Sequence, residues 1–247
     1  MLKRSYERKS LFVLAVWAFM MRTLSLGHNA YKFINAAEMV FPILLILVAS
    51  FVLYDKNEIE LALVNGTKTT KLFFTHLVPF ITYTTVPSVI FALIFKSHTD
   101  GEFDPSSVTM MSIPEYIPDN YKLLMTVSLV ITIVFFYALY SLIRVITRNC
   151  FIPMFLGFGL VTVFTGFSAA VQAMKIPMTC SFFDPLINSY FIGDTIPNAY
   201  AEKYPELVGM AQIWTYNRLF FVFLSALLFF ITYLILRREK LHCGIGE

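Results

Sequence analysis

The chain has 247 residues, of which 57% are hydrophobic and only 14% are charged, and its formal net charge is +3. This composition lies outside the range of soluble globular domains and within that of membrane proteins, so a single transmembrane domain is predicted. Nothing in the placement of the charges indicates nucleic-acid binding. The cysteines, Cys150, Cys180 and Cys243, are too widely spaced to indicate a disulfide framework or a metal cluster, and no bound cofactor or metal is expected.

Six apolar stretches are long enough to cross a membrane as helices, which takes about 20 residues each. The sequence therefore predicts an all-α, polytopic bundle of six transmembrane helices, at 11–27, 33–54, 72–95, 123–145, 151–174 and 219–236. The first stretch has two alternative interpretations, a helix lying along the membrane interface and a secretory signal. No internal repeat of the kind found in many secondary transporters is visible.

Lysine and arginine are concentrated on one side of this predicted bundle. They fill the N-terminal tail, the loops after the second and fourth spans, and the C-terminal tail, whereas aspartate and glutamate fill the two longer loops on the other side. Because basic loops stay inside, both termini are predicted to be cytosolic, in a multi-pass protein of the plasma membrane. The outer segment 175–217 is predicted to hold short surface or re-entrant helices, at 181–192 and 207–215, acting either as a lid or as an interfacial aromatic belt.

A short charged segment joins the second and third predicted spans and indicates a helix at 58–65. Asn57 can cap its first turn, with Glu60 three residues later, and the body that follows is largely apolar. Asn65 and Gly66 are the residue types that best tolerate a left-handed helix end. An apolar two-turn helix at the membrane surface needs a groove in a partner. Asn65-Gly66-Thr67 is also a glycosylation sequence, which the predicted topology keeps in the cytosol.

This arrangement resembles the permease subunits of ATP-binding-cassette exporters, specifically the type 2 export family. In that family the loop after the second span carries a coupling helix that docks on the ATPase subunit. The matching residues here are Glu58, Glu60, Leu61, Leu63, Gly66, Thr67 and Lys71. A second similarity lies at 183–190, an aromatic, Pro-Leu and aromatic pattern that family members carry outside, ahead of the last span.

The resemblance implies that ATP is hydrolysed by a separate protein. No G-x-x-x-x-G-K-[ST] motif is present, so this chain cannot hydrolyse ATP by the P-loop route. The implied partners are two cytosolic ATPase subunits, which bind ATP and Mg²⁺, a second permease chain, identical or related, and membrane lipid. The expected substrate is hydrophobic or amphipathic, such as a peptide, a lipid or a drug.

Two further sets of residues within the predicted spans are assigned structural roles. Arg22 and Glu38 flank the tight turn between the first two spans at comparable depth, which predicts an intramembrane ion pair. Gly166 and Ala170 form a small-xxx-small pair that allows close approach of another helix.

Two other functions stay open at this point. An intramembrane enzyme could use Asp184, Glu38 and His76 as acid-base groups, although they form no recognisable motif. A non-transporting immunity or sensor subunit could use the same fold to sequester a peptide.

Overall fold

The computed structural model describes the backbone of residues 60–62, 64–94, 120–149, 151–174 and 210–242, and the single positions 42, 43, 45, 183 and 185. Within these ranges lie four long helices: α1 (Thr69–Ile94), α2 (Asn120–Thr147), α3 (Phe151–Met174) and α4 (Met210–His242). The described part of the chain is all helical and contains no strand. The predicted span 11–27 lies outside it, and of 33–54 only Pro42, Ile43 and Leu45 are described, each of them helical.

Two of the helices are long and apolar enough to cross a membrane. The qualifying stretches are Leu123–Thr147 of α2 and Trp214–Arg238 of α4, and Phe151–Phe164 of α3 is a shorter apolar stretch. The helices α1, α2 and α3 occupy the positions of the predicted spans 72–95, 123–145 and 151–174. The predicted count of six helices and the predicted cytosolic termini involve residues outside the described ranges, and both stay predictions.

The last helix differs from its prediction, because it begins at Met210 and not at 219. Polar residues such as Asn217 and Arg218 normally lie in water, beyond the end of an apolar helix. Here both are buried, as is Trp214. Residues 210–217 therefore belong to α4 and not to an outer loop, and residues 210–215 of the predicted short helix 207–215 are the first residues of this long helix. At 1.5 Å per residue, the 33 residues of α4 extend for about 50 Å.

The second helix, α2, lies at the centre of the packing and contacts each of the other three. Its aromatic side chains reach in several directions. Phe136 meets Phe164 of α3 at 5.9 Å between ring centroids, while Tyr137 meets Phe229 of α4, also at 5.9 Å. The buried share of the apolar stretch is 61% in α2 and 22% in α4, so α4 leaves much of its surface outside the described core.

A very short joint connects α2 to α3. Arg148 adopts a left-handed conformation with φ of 51°, and its N–H donates to the Arg144 carbonyl at 3.0 Å, which closes the end of α2. Asn149 then caps α3, because its side-chain oxygen accepts a hydrogen bond from the Phe151 N–H at 2.8 Å. The two helices therefore form a tight helical hairpin.

Two glycines of α3, Gly159 and Gly166, face open space. A methyl group added at Gly159 or at Gly166 would meet no atom within 4 Å. The predicted close approach of another helix at Gly166 is therefore not made within the described structure, and this face of α3 is free to receive a helix from elsewhere.

Candidate functional site

The segment predicted to couple to a partner ends in a well-defined cap. Glu60, Leu61, Ala62 and Val64 are helical, and Gly66 takes the left-handed conformation with φ of 71°. The Thr67 N–H donates to the Ala62 carbonyl at 2.9 Å, which is the six-to-one hydrogen bond of a Schellman motif. Because α1 begins at Thr69, only Thr67 and Lys68 separate this cap from a long helix.

The short helix presents apolar side chains to its surroundings. Leu61 is 51% exposed and Val64 is 68% exposed, whereas Ala62 between them is 2% exposed and faces the bundle. Glu60, Gly66 and Lys71 are exposed, and Thr67 is half-buried. Glu58 and Leu63, the other two predicted coupling residues, lie outside the described residues. The structure thus has an exposed apolar pair beside charged groups, on a segment held in place by its own cap.

The start of α1 is anchored in the core directly after this segment. Leu72, Phe73 and His76 are buried. The ring of Phe73 meets the edges or faces of Phe229 and Tyr233 of α4 with centroid distances of 6.1 and 6.0 Å. The Tyr137 hydroxyl of α2 donates to the His76 carbonyl at 3.3 Å. The start of α1, directly after the segment 60–66, is therefore in contact with both α2 and α4.

A second candidate site, a buried polar cluster that sequence reasoning missed, surrounds Arg218 near the start of α4. Its side chain is 3% exposed. Its Nε donates to the Asn217 side-chain oxygen at 2.8 Å, and its Nη1 donates to the hydroxyls of Ser128 at 3.1 Å and Thr132 at 2.9 Å. Its Nη2 donates to the Pro185 carbonyl at 3.0 Å. The guanidinium carbon also lies 5.5 Å from the centre of the Phe221 ring.

This arrangement explains how a cation can be buried beside apolar helices. Removing a charge from water is costly unless its hydrogen-bonding groups are satisfied, and the planar guanidinium offers five donors in fixed directions. Ser128 and Thr132 are four residues apart on α2, so both hydroxyls face the same side of that helix. That spacing, opposite an arginine at the start of an apolar run, is the signal in the sequence that could have indicated the site.

The Arg218 site also holds two residues of the predicted outer pattern at 183–190. The Pro185 carbonyl accepts a second hydrogen bond, from the Thr132 hydroxyl at 3.0 Å. The ring of Phe183 packs edge-on against Phe220 of α4, with centroids 5.8 Å apart. Phe183 and Pro185 are thereby fixed against α2 and α4.

Most of the remaining candidate residues lie outside the described part of the chain. The proposed ion pair of Arg22 and Glu38 lies outside the described residues, as does Asp184. His76 is buried near the start of α1, where its carbonyl accepts a hydrogen bond from Tyr137 of α2. Within the described part of the chain, no three histidine, cysteine, aspartate or glutamate side chains lie close enough to hold a metal ion. Comparisons with protein-family models, with curated proteins and with solved structures find no match for this chain.

Proposed function

We propose that this chain is the permease subunit of an ATP-binding-cassette exporter, with six transmembrane helices, both termini in the cytosol, and 58–65 as its coupling helix. Two separate ATPase subunits would supply the energy, and two permease chains would form the path for a hydrophobic or amphipathic substrate. The observation that carries the proposal is the exposed Leu61 and Val64 pair on a capped segment joined directly to α1.

The proposal requires a contact that is both apolar and rigid. Burying an exposed leucine or valine in a partner's groove stabilises the contact by about 2 kcal/mol per side chain. The cap at Gly66 and the buried start of α1 restrict the motion of 58–65 relative to α1 and the helices packed against it. Force applied by an ATPase at 58–65 would then move α1 together with its neighbours.

The test is co-expression with candidate ATPases that carry a P-loop motif, followed by purification in mild detergent. We expect one such ATPase to remain bound, and we expect Leu61→Ala combined with Val64→Ala to weaken its binding at least tenfold. Val78→Ala is the matched control, because Val78 is exposed to a similar degree on α1 but lies away from the segment. An ATPase that binds the double variant as tightly as the wild type would contradict the proposal.

A transport assay separates the exporter from its nearest alternative. A non-transporting immunity or sensor subunit could bind an ATPase or a peptide through the same surfaces without moving a substrate. We expect vesicles reconstituted with both proteins to accumulate an amphipathic peptide or dye only when ATP is present. Binding without ATP-dependent accumulation of any such substrate would favour the alternative.

A further inference from the structure

The basic residues of three helices gather at one end of the described bundle. Phe73 packs on Tyr233, so the start of α1 lies beside the last third of α4, and the hydrogen bond from Tyr137 to His76 brings the second half of α2 to the same level. The exposed cations at this end are Lys68, Lys71, Arg148, Arg237 and Arg238. Glu60 is the single acidic side chain that the structure describes. In the sequence, Glu239 offsets one positive charge among Arg237, Arg238 and Lys240.

An apolar face of α4 runs directly into this basic end. Its exposed side chains are Leu219, Phe223, Leu227, Phe230 and Leu234. At 3.6 residues per turn these positions lie within an arc of about 80°, and Arg237 and Arg238 continue the same stripe, widening it to about 100°. From Leu219 to Arg237 the face is about 27 Å long, close to the roughly 30 Å of a bilayer's hydrocarbon core. In a bilayer that covers this apolar face, the two arginines would lie at the depth of the lipid phosphates.

We propose that this face of α4 is a binding surface for anionic phospholipid, with acyl chains along Leu219–Leu234 and the headgroup phosphate on Arg237 and Arg238. Charge complementarity selects an anionic headgroup, and arginine can contact phosphate through two donors at once. The side chains along the stripe are bulky, whereas helix–helix interfaces in membranes favour small residues that allow close approach. The proposal is independent of whether the chain belongs to an exporter.

The test is a lipid titration of the purified full-length chain in detergent, followed by native mass spectrometry. The probes are phosphatidylglycerol and phosphatidylcholine with identical acyl chains. We expect phosphatidylglycerol to bind at least tenfold more tightly. The variant Arg237→Gln with Arg238→Gln should lose about 25-fold in affinity for phosphatidylglycerol and keep its affinity for phosphatidylcholine, because each of the two cations near an anionic surface contributes about fivefold.

Two controls keep the result specific to α4. Arg237→Lys with Arg238→Lys keeps the charge and should retain most of the preference for phosphatidylglycerol. Arg148→Gln removes an exposed charge from the same end but from a different helix, and should change the affinity by less than threefold. Equal binding of the two lipids by the wild type would overturn the proposal. So would an effect of Arg148→Gln as large as that of the double variant, which would indicate diffuse surface charge, or a double variant that binds phosphatidylglycerol as tightly as the wild type.

Discussion

Arg218 is the residue whose environment departs most from the expectation for its type. A buried arginine that donates hydrogen bonds to Asn217, Ser128, Thr132 and Pro185 joins two helices and a segment from between them. Its loss would leave several of these acceptors without a donor, and unpaired polar groups in an apolar environment cost more than the hydrogen bond contributes.

We expect Arg218→Met to lower the free energy of unfolding by about 3 kcal/mol, because hydrogen bonds to charged groups are worth about 1.5–3 kcal/mol. The measurement is thermal unfolding in detergent micelles. Leu219→Ala is the control, since Leu219 is the exposed neighbour on the same helix. If Arg218→Met unfolded at the wild-type temperature, the network would not be a source of stability.

Tyr137 and Tyr140 form a natural pair for a second prediction. Both side chains are almost fully buried in α2, but the Tyr137 hydroxyl donates to the His76 carbonyl, whereas no described group lies within hydrogen-bonding distance of the Tyr140 hydroxyl. We expect Tyr137→Phe to destabilise the protein by about 1 kcal/mol, and Tyr140→Phe to leave it unchanged or slightly more stable. Equal effects of the two substitutions in the same unfolding experiment would show that burial alone governs both positions.

At the scale of the elements, the described helices were largely predictable, but the bounds of α4 were not. Runs of apolar residues located α1, α2 and α3 because length and hydropathy are local properties of the sequence. The start of α4 was missed because the burial of Arg218 depends on Ser128 and Thr132, about 90 residues earlier in the chain, and hydropathy does not record such partners. The left-handed end at Gly66 was predictable because it depends on the residue type itself.

The cap at Gly66 gives a prediction at this scale. A β-branched residue in the left-handed conformation costs about 1–2 kcal/mol, so Gly66→Val should loosen the joint between 60–65 and α1. We expect amide hydrogen exchange in a peptide covering 60–72 to become about tenfold faster. Gly66→Asn should change it far less, because asparagine tolerates this conformation. Exchange rates that were equal in both variants would mean that the cap does not hold the segment.

The open face of α3 gives another prediction. Gly166→Ala should raise the stability of the isolated chain by up to about 1 kcal/mol, because alanine favours the helix and its methyl group meets no neighbour within 4 Å. Unfolding of the purified monomer measures this effect. A lower stability would show that another part of the chain packs on Gly166.

At the scale of the whole molecule, the gathering of exposed cations at one end predicts the orientation in the membrane. The native cysteines report it, because Cys150 follows α2 and Cys243 follows α4 in the sequence, whereas Cys180 lies in the predicted outer segment 175–217. In intact cells, a membrane-impermeant maleimide should label Cys180 and leave Cys150 and Cys243 unlabelled until the cells are opened. Labelling of Cys150 or Cys243 from outside would contradict the predicted topology. It would also contradict the proposed contact with a cytosolic ATPase.

The Arg218 network also sets an order of events while the protein is being made. Thr132 and Arg218 are separated by 86 residues, so at about 5–20 residues per second the ribosome needs roughly 4–17 s to deliver the arginine after the threonine has emerged. During that interval the hydroxyls of Ser128 and Thr132 lack the donor that they have in the folded protein. A nascent chain that stops before Met210 can never supply it, and we expect the cell's membrane quality-control proteases to degrade such fragments.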